Sequence, residues 1–183
     1  MAECSFADVH TENMNYCPNE ESVGGVKAKA WHIPMAQLAT ITKPTVNETT
    51  PYAESVTLTA LTPVSGKGFK KIDLIIDENE LKSNLVGSKG NLKDQAQFDG
   101  MVPNFNKKNV GFVKHQQNVP TCWVFEDKKK KKWVALEAYM TKADATTAKK
   151  YEDNSGTAFN IVANGPLWAF DGSIVELADA VTP

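Results

Sequence analysis

Three histidines, three cysteines and one knot of carboxylates are the groups in this chain that could do chemistry, and spacing limits what each could do. His10, His32 and His115 lie far apart, and none sits in an HExxH or comparable ligand spacing, so no metal site is expected. Cys4, Cys17 and Cys122 are odd in number and include no Cys-x-x-Cys pair, which fits reduced thiols rather than a disulfide framework or a zinc site. Asp73, Asp77, Glu78 and Glu80 come close enough together for a metal or acid–base role. An alternating strand, however, puts Asp73 and Asp77 on a solvated face and explains them without one. Gly66-Lys67-Gly68 and Gly87-Ser88-Lys89-Gly90 have the glycines of a phosphate loop but not the GxxxxGK[ST] spacing, and read as turns. GxSxG is absent, and Cys122 inside an apolar strand should have a raised thiol pKa. No residue stands out as catalytic, so the expectation is a protein that is not an enzyme, with no cofactor and no small-molecule substrate.

The charge pattern narrows the partners. The 183 residues carry a formal net charge of -2, and all 20 basic residues are lysine. Arginine supplies the planar fork for phosphate and guanine, so its absence argues against a dedicated nucleic-acid reader. Lys128–Lys132 is the sharpest charge feature; it reads as a solvated hairpin tip that discourages edge-to-edge aggregation, with contact to DNA or an acidic neighbour as the alternative. The first 25 residues lack the basic start and apolar run of a signal peptide, and no window approaches a membrane span, so a cytosolic product with no membrane partner is expected. Asn47-Glu48-Thr49 matches the glycosylation pattern by chance in that setting.

Strands must position whatever these residues do. Residues 1–25 read as a polar arm ending in Gly24-Gly25; Val26–Ile33 alternates and is closed by Pro34. Met35–Thr42 fits a short helix or a strand, and 42–54, with Pro44 and Pro51, is a linker. Ser55–Leu61 is predicted as a strand with Val56, Leu58 and Ala60 opposite Thr57 and Thr59. Phe69–Asp77 is predicted as another, with Ile72, Leu74 and Ile76 inward and Lys71, Asp73 and Asp77 outward; the two would form a half-wet hairpin. Glu80–Val86 fits a strand or a helical turn, GSKGNLKDQ a loop, Ala96–Met101 a strand and Asn104–Gln116 a helix. Residues 140–156 read as a loop, with or without a short helix. Thr157–Ala163 is a strand, and Leu167–Phe170 should pair with Ser173–Leu177 across Asp171-Gly172. About seven or eight strands and at most one or two short helices predict a mainly β sandwich or barrel with one flanking helix over 26–178, followed by a tail at 179–183.

Residues 121–136, TCWVFEDKKKKKWVAL, say most about architecture. They read as two strands around a lysine turn, with Trp123 and Phe125 opposite Cys122 and Val124, and Trp133 and Ala135 opposite Val134 and Leu136. Both faces are apolar, so both need cover. One can line the core, and the other needs a further layer from the same chain or from a neighbouring subunit. Trp123, Phe125, Trp133 and Leu136 are therefore expected at the core or at an interface.

The order of elements, with GGVKAKAWHIP, NVPTCWVFEDKKKKKWVAL and WAFDGSIVEL as its landmarks, resembles tail tube proteins of tailed bacteriophages, in particular those of phages infecting Bacteroidota. The resemblance covers most of residues 20–178, and it departs from the related pattern where five lysines replace a glycine-containing turn. It implies a virion protein, made in the host cytoplasm, whose copies form stacked hexameric rings around a channel for genome delivery. Its implied partners are other tail and connector proteins and, without sequence preference, phage DNA. Within that picture Lys71, Asp73, Asp77, Thr57 and Thr59 are the expected lumen-facing residues. A capsid decoration or head–tail connector protein is the nearest alternative; a carbohydrate- or nucleic-acid-binding β-sandwich using Trp31, Trp123, Trp133 and Trp168 is the more distant one.

Overall fold

The computed structural model describes residues 11–14, 24–47, 49–149 and 155–178. Most of the predicted arm, with His10, Cys4 and Cys17, the glycosylation match at Glu48, part of the 140–156 loop and the 179–183 tail all lie outside the described residues. The chain is mainly β. Its strands are β1 (Val26–Pro34), β2 (Leu38–Thr42), β3 (Thr57–Leu58), β4 (Ala60–Pro63), β5 (Lys70–Asp73), β6 (Glu80–Ser88), β7 (Asn91–Pro103), β8 (Thr121–Asp127), β9 (Lys132–Thr146), β10 (Gly156–Ala163) and β11 (Trp168–Phe170). The helices are α1 (Tyr52–Ser55) and α2 (Lys107–Gln116), with a 3-10 turn at Met35–Gln37 between β1 and β2. Asn106 caps α2 by accepting the Asn109 amide at 2.9 Å, and Lys114 lies in its last turn, where a cation suits the helix dipole.

One large sheet runs β5-β1-β8-β9-β10-β7-β6, with β11 joined to β9 and then to β3, while β2 and β4 form a separate pair. The sheet curls on itself. Phe98 of β7 and Phe125 of β8 belong to strands that are not neighbours, yet their rings stack at 4.2 Å across the interior. Trp123, Phe159 and Ile161 join them, and Phe112 of α2 closes one end of this first core. At the other margin the Ile75 amide donates to the Met101 carbonyl at 2.8 Å and draws the end of β5 toward β7.

The curl depends on two irregularities in β9. Trp123 pairs with Ala135 but Thr121 with Ala138, so β9 holds one extra residue there, and Glu137 adopts a φ of 52°. A second bulge leaves Thr141 between the pairs Ile161–Met140 and Asn160–Lys142. Bulges bend and twist the bulged strand. The first also shifts the alternation, so that Ala138 joins Ala135 in the inner core instead of following Leu136 outward.

β8 is the wall between two cores, and six of its seven residues are buried. Trp123 and Phe125 face the curl, while Cys122 and Val124 face a second cluster with Val134, Leu136, Leu58, Leu61, Phe69 and Phe170. Met35, Leu38 and Ile41 pack over that cluster from the β2 region. The two apolar faces predicted for 122–136 are as expected, and the same chain covers both.

Several local expectations change. The strands at 57–63 and 70–73 do not form a hairpin: β3 pairs with β11, β4 with β2 and β5 with β1. The second strand ends at Asp73, and Ile76 is 72% exposed in a turn rather than inward. The 140–156 region is strand as far as Thr146, because β10 offers it a partner whatever its Ala/Thr/Lys composition. The predicted hairpin across Asp171-Gly172 is absent; β11 binds β9 and β3, and the 173–178 segment instead contacts Phe69 through a parallel bridge at Glu176. GSKGNLKDQ is not a loop but the tip of a hairpin, β6–β7, in register from Glu80–Asp99 to Ser88–Asn91. Gly90 takes a φ of 85° in its turn, and a Cβ on Gly87 would meet the Asn91 carbonyl at 2.4 Å.

Candidate assembly surfaces

The residues expected to line a lumen fall into separate places. Lys71 and Asp73 project from β5 into solvent and pair with each other at 2.8 Å. Asp73 raises the pKa of the Lys71 ammonium by accepting its hydrogen bond. Asp77 lies beyond the strand in a left-handed turn, φ 62°, and pairs with Lys128 at 2.7 Å. Thr57 and Thr59 border a different, polar cleft beside Thr49, Thr50 and Asp171, and the Thr57 hydroxyl donates to the Ala53 carbonyl at 2.7 Å. The five residues therefore do not share a single cleft.

The core and interface candidates divide more simply. Trp123 (1% exposed), Phe125 and Leu136 are buried within the chain, and Trp133 is half-buried with its indole N–H on Asp127 at 3.1 Å. Trp31 is also buried; its indole N–H donates to Glu176 at 2.6 Å. Neither Trp31 nor Trp123 offers a ring to an incoming sugar or base.

The lysine turn is tied down at both ends. Lys128 holds Asp77, and Lys132 donates to the Gly172 carbonyl at 2.6 Å while sitting over the Phe170 ring. Between them Lys130 takes a φ of 67°, and Asp127 accepts the Lys131 amide at 2.9 Å. Just inside, Glu126 is buried against Lys27 and Lys29. Burial pushes its carboxyl up, but the two lysines together outweigh this and hold it below the usual carboxylate range.

Cys122 and His32, two of the groups that could be reactive, are held neutral. Burial pushes the Cys122 thiol up to about 12. Burial, helped by the nearby Lys70 charge, lowers His32 to about 4. His32 stacks on Trp123 at 5.2 Å and meets Phe112 edge-on at 5.5 Å. Its Nδ1 lies 3.4 Å from the Gln116 amide, whose oxygen accepts from Thr121 at 3.0 Å.

The surface that sequence reasoning missed is the β6–β7 hairpin. β6 ends the large sheet, so its outer edge has no strand partner among the described residues. Leu85 is 67% and Leu92 54% exposed, and the register puts both on one face of the hairpin with Asp94; Val86 lies on the other. The signal available was alternation in LKSNLVGSKGNLKD around a Lys-Gly turn, masked by the glycines and polar residues of the tip. Among the described residues there is no group of three or more His, Cys, Asp or Glu that could hold a metal ion, and no helix is long and apolar enough to cross a membrane. No protein-family model matches the chain, and no curated protein or solved structure matches it.

Proposed function

We propose that this chain is a self-assembling structural subunit, and that its assembly is the tail tube of a tailed bacteriophage. The β6–β7 hairpin carries the reading: it combines a sheet edge that has no strand partner among the described residues with large exposed apolar side chains. Such an edge is a template for another strand, and natural monomers blunt or cover theirs. β5, at the other end of the large sheet, is flanked within the chain by the bridge at Glu176 and the bond from Ile75 to Met101, so β6 is the edge on which one copy can take a strand from the next. Repeated head to tail, that contact closes a ring if the rotation closes. The resemblance of the GGVKAKAWHIP, NVPTCWVFEDKKKKKWVAL and WAFDGSIVEL landmarks to tube proteins supplies the particle, the hexameric ring and the stacking.

In this reading the protein works without catalysis and without a cofactor, and is located in the virion. Lys71 and Asp73, solvent-facing and mutually paired on β5, remain the candidates for a channel wall, past which DNA moves without being held. Electron microscopy of the purified protein and of virions tests the proposal. Stacked six-fold rings support it; isolated trimers, or protein found only on capsids, would favour a decoration or connector role. Leu85→Asp should leave the subunit folded and remove the rings, and rings that persist in this variant rule out the hairpin as the contact.

A further inference from the structure

A cleft of about 680 Å³ lies between β1, β5, the first half of α2 and the 176–178 segment. That volume is within the usual range for small-molecule sites. Its floor is apolar, made by Ile72, Val102 and Phe112. His32 adds a flat ring to the floor, backed by Trp123. Because burial keeps this imidazole uncharged, the interior presents no buried charge to an apolar group.

The mouth has a different chemistry. The amines of Lys70, Lys71 and Lys108 border it. Lys70 is fixed there by the carbonyls of Leu177 and Ala178, at 2.8 and 2.9 Å. The carboxylates at the mouth are engaged: Asp73 holds Lys71 at 2.8 Å, and Glu176 accepts from Trp31 at 2.6 Å. Counted over the lining residues, three lysines against two carboxylates leave a formal charge of +1 at the opening, above an apolar floor. Lysines act as point charges without the fork that matches phosphate, which suits one small anionic group.

We propose that this cleft binds an amphiphilic organic monoanion, with an aromatic ring or acyl chain on Ile72, Val102 and Phe112 and a carboxylate or sulfonate at the lysine rim. None of these residues lies at the exposed tip of the β6–β7 hairpin: Val102 is at the far end of β7, and Lys71 is the residue the cleft shares with the proposed channel wall.

A fluorescence titration with 8-anilinonaphthalene-1-sulfonate, followed by competition with dodecanoate and with dodecanol, tests this on the full chain. The expected result is saturable binding that dodecanoate displaces and dodecanol displaces poorly. Lys70→Gln should weaken it about fivefold, the scale of one partly exposed charge contact, and Ile72→Trp should abolish it by filling the floor. Leu85→Asp should leave it unchanged, which separates the cleft from probe adsorbed on the exposed hairpin. Should Ile72→Trp fail to fold, Lys108→Gln replaces it, with a loss comparable to that of Lys70→Gln. The proposal is overturned if binding does not saturate, if it survives the cleft variants unchanged, or if dodecanol competes as well as dodecanoate.

Discussion

The β8–β9 and β6–β7 hairpins are parts of one sheet and differ in what covers them. In β8–β9 both faces are apolar, and both are covered by the chain itself: by the curl and Phe112 on one side, and by the β2 and β4 region with Phe69 on the other. In β6–β7 the tip carries Leu85, Val86 and Leu92 into solvent beside an edge with no strand partner among the described residues. Apolar density along a sequence measures how much cover a segment needs. It does not reveal whether the chain supplies that cover. The segment with the stronger apolar signal is internally satisfied here, and the one with the weaker signal is left open. The case for assembly thus moves from Trp123 and Trp133 to Leu85 and Leu92.

Breaking the covered hairpin should have the largest effect. Trp123→Ala removes a ring packed against His32, Phe112, Phe125 and Phe159, and should destabilise the subunit by about 3–5 kcal/mol. Urea melts monitored by circular dichroism measure it, and a loss below about 1 kcal/mol would mean that the inner core is not where the stability lies.

The next effect is a pH dependence from the same core. His32 has its pKa lowered on folding, so the unfolded chain takes up a proton first and stability falls as pH drops below about 6.5. The loss should reach about 2 kcal/mol by pH 5 and level off below about pH 4. Glu126 acts in the same direction, since its folded pKa is depressed, but its contribution is lost only in the carboxylate range. Melts at pH 7 and pH 5 on His32→Gln, which keeps a hydrogen-bonding partner for Gln116, should show most of the difference gone. An unchanged pH slope would mean that the imidazole is wetter than its packing implies.

Effects on folding should be small at the open hairpin. Leu85→Asp and Leu92→Asp should each change subunit stability by no more than about 0.5 kcal/mol while removing higher-order assembly. Sedimentation velocity alongside the melts separates the two, and a large loss of stability would show that the tip is covered within the subunit after all. The smallest change is expected in the lysine turn. Replacing Lys131 by Ser should stay within about 0.5 kcal/mol, whereas Lys128→Ser also loses the Asp77 pair and should cost slightly more, a ranking that thermal melts can order.

By itself the sequence determined the fold class, the ends of β1 and β10, the helix before Gln116 and the opposition of Trp123 and Phe125 to Cys122 and Val124. These follow from side-chain period and proline placement, which are properties of a few adjacent residues. Only the tertiary structure decided which strands pair. Thr57–Leu61 and Lys70–Asp73 have the pattern of a hairpin, yet each binds a strand distant in the chain, because pairing depends on which edges remain open once the sheet has curled. The bulges at Glu137 and Thr141 are equally invisible along the chain: one extra residue moves Ala138 to the inner face, and no local composition marks where it falls. The cleft at His32 shows the same limit. Its floor and rim come from β1, β5, β7, α2 and the segment after β11, so its residues are a site only in three dimensions.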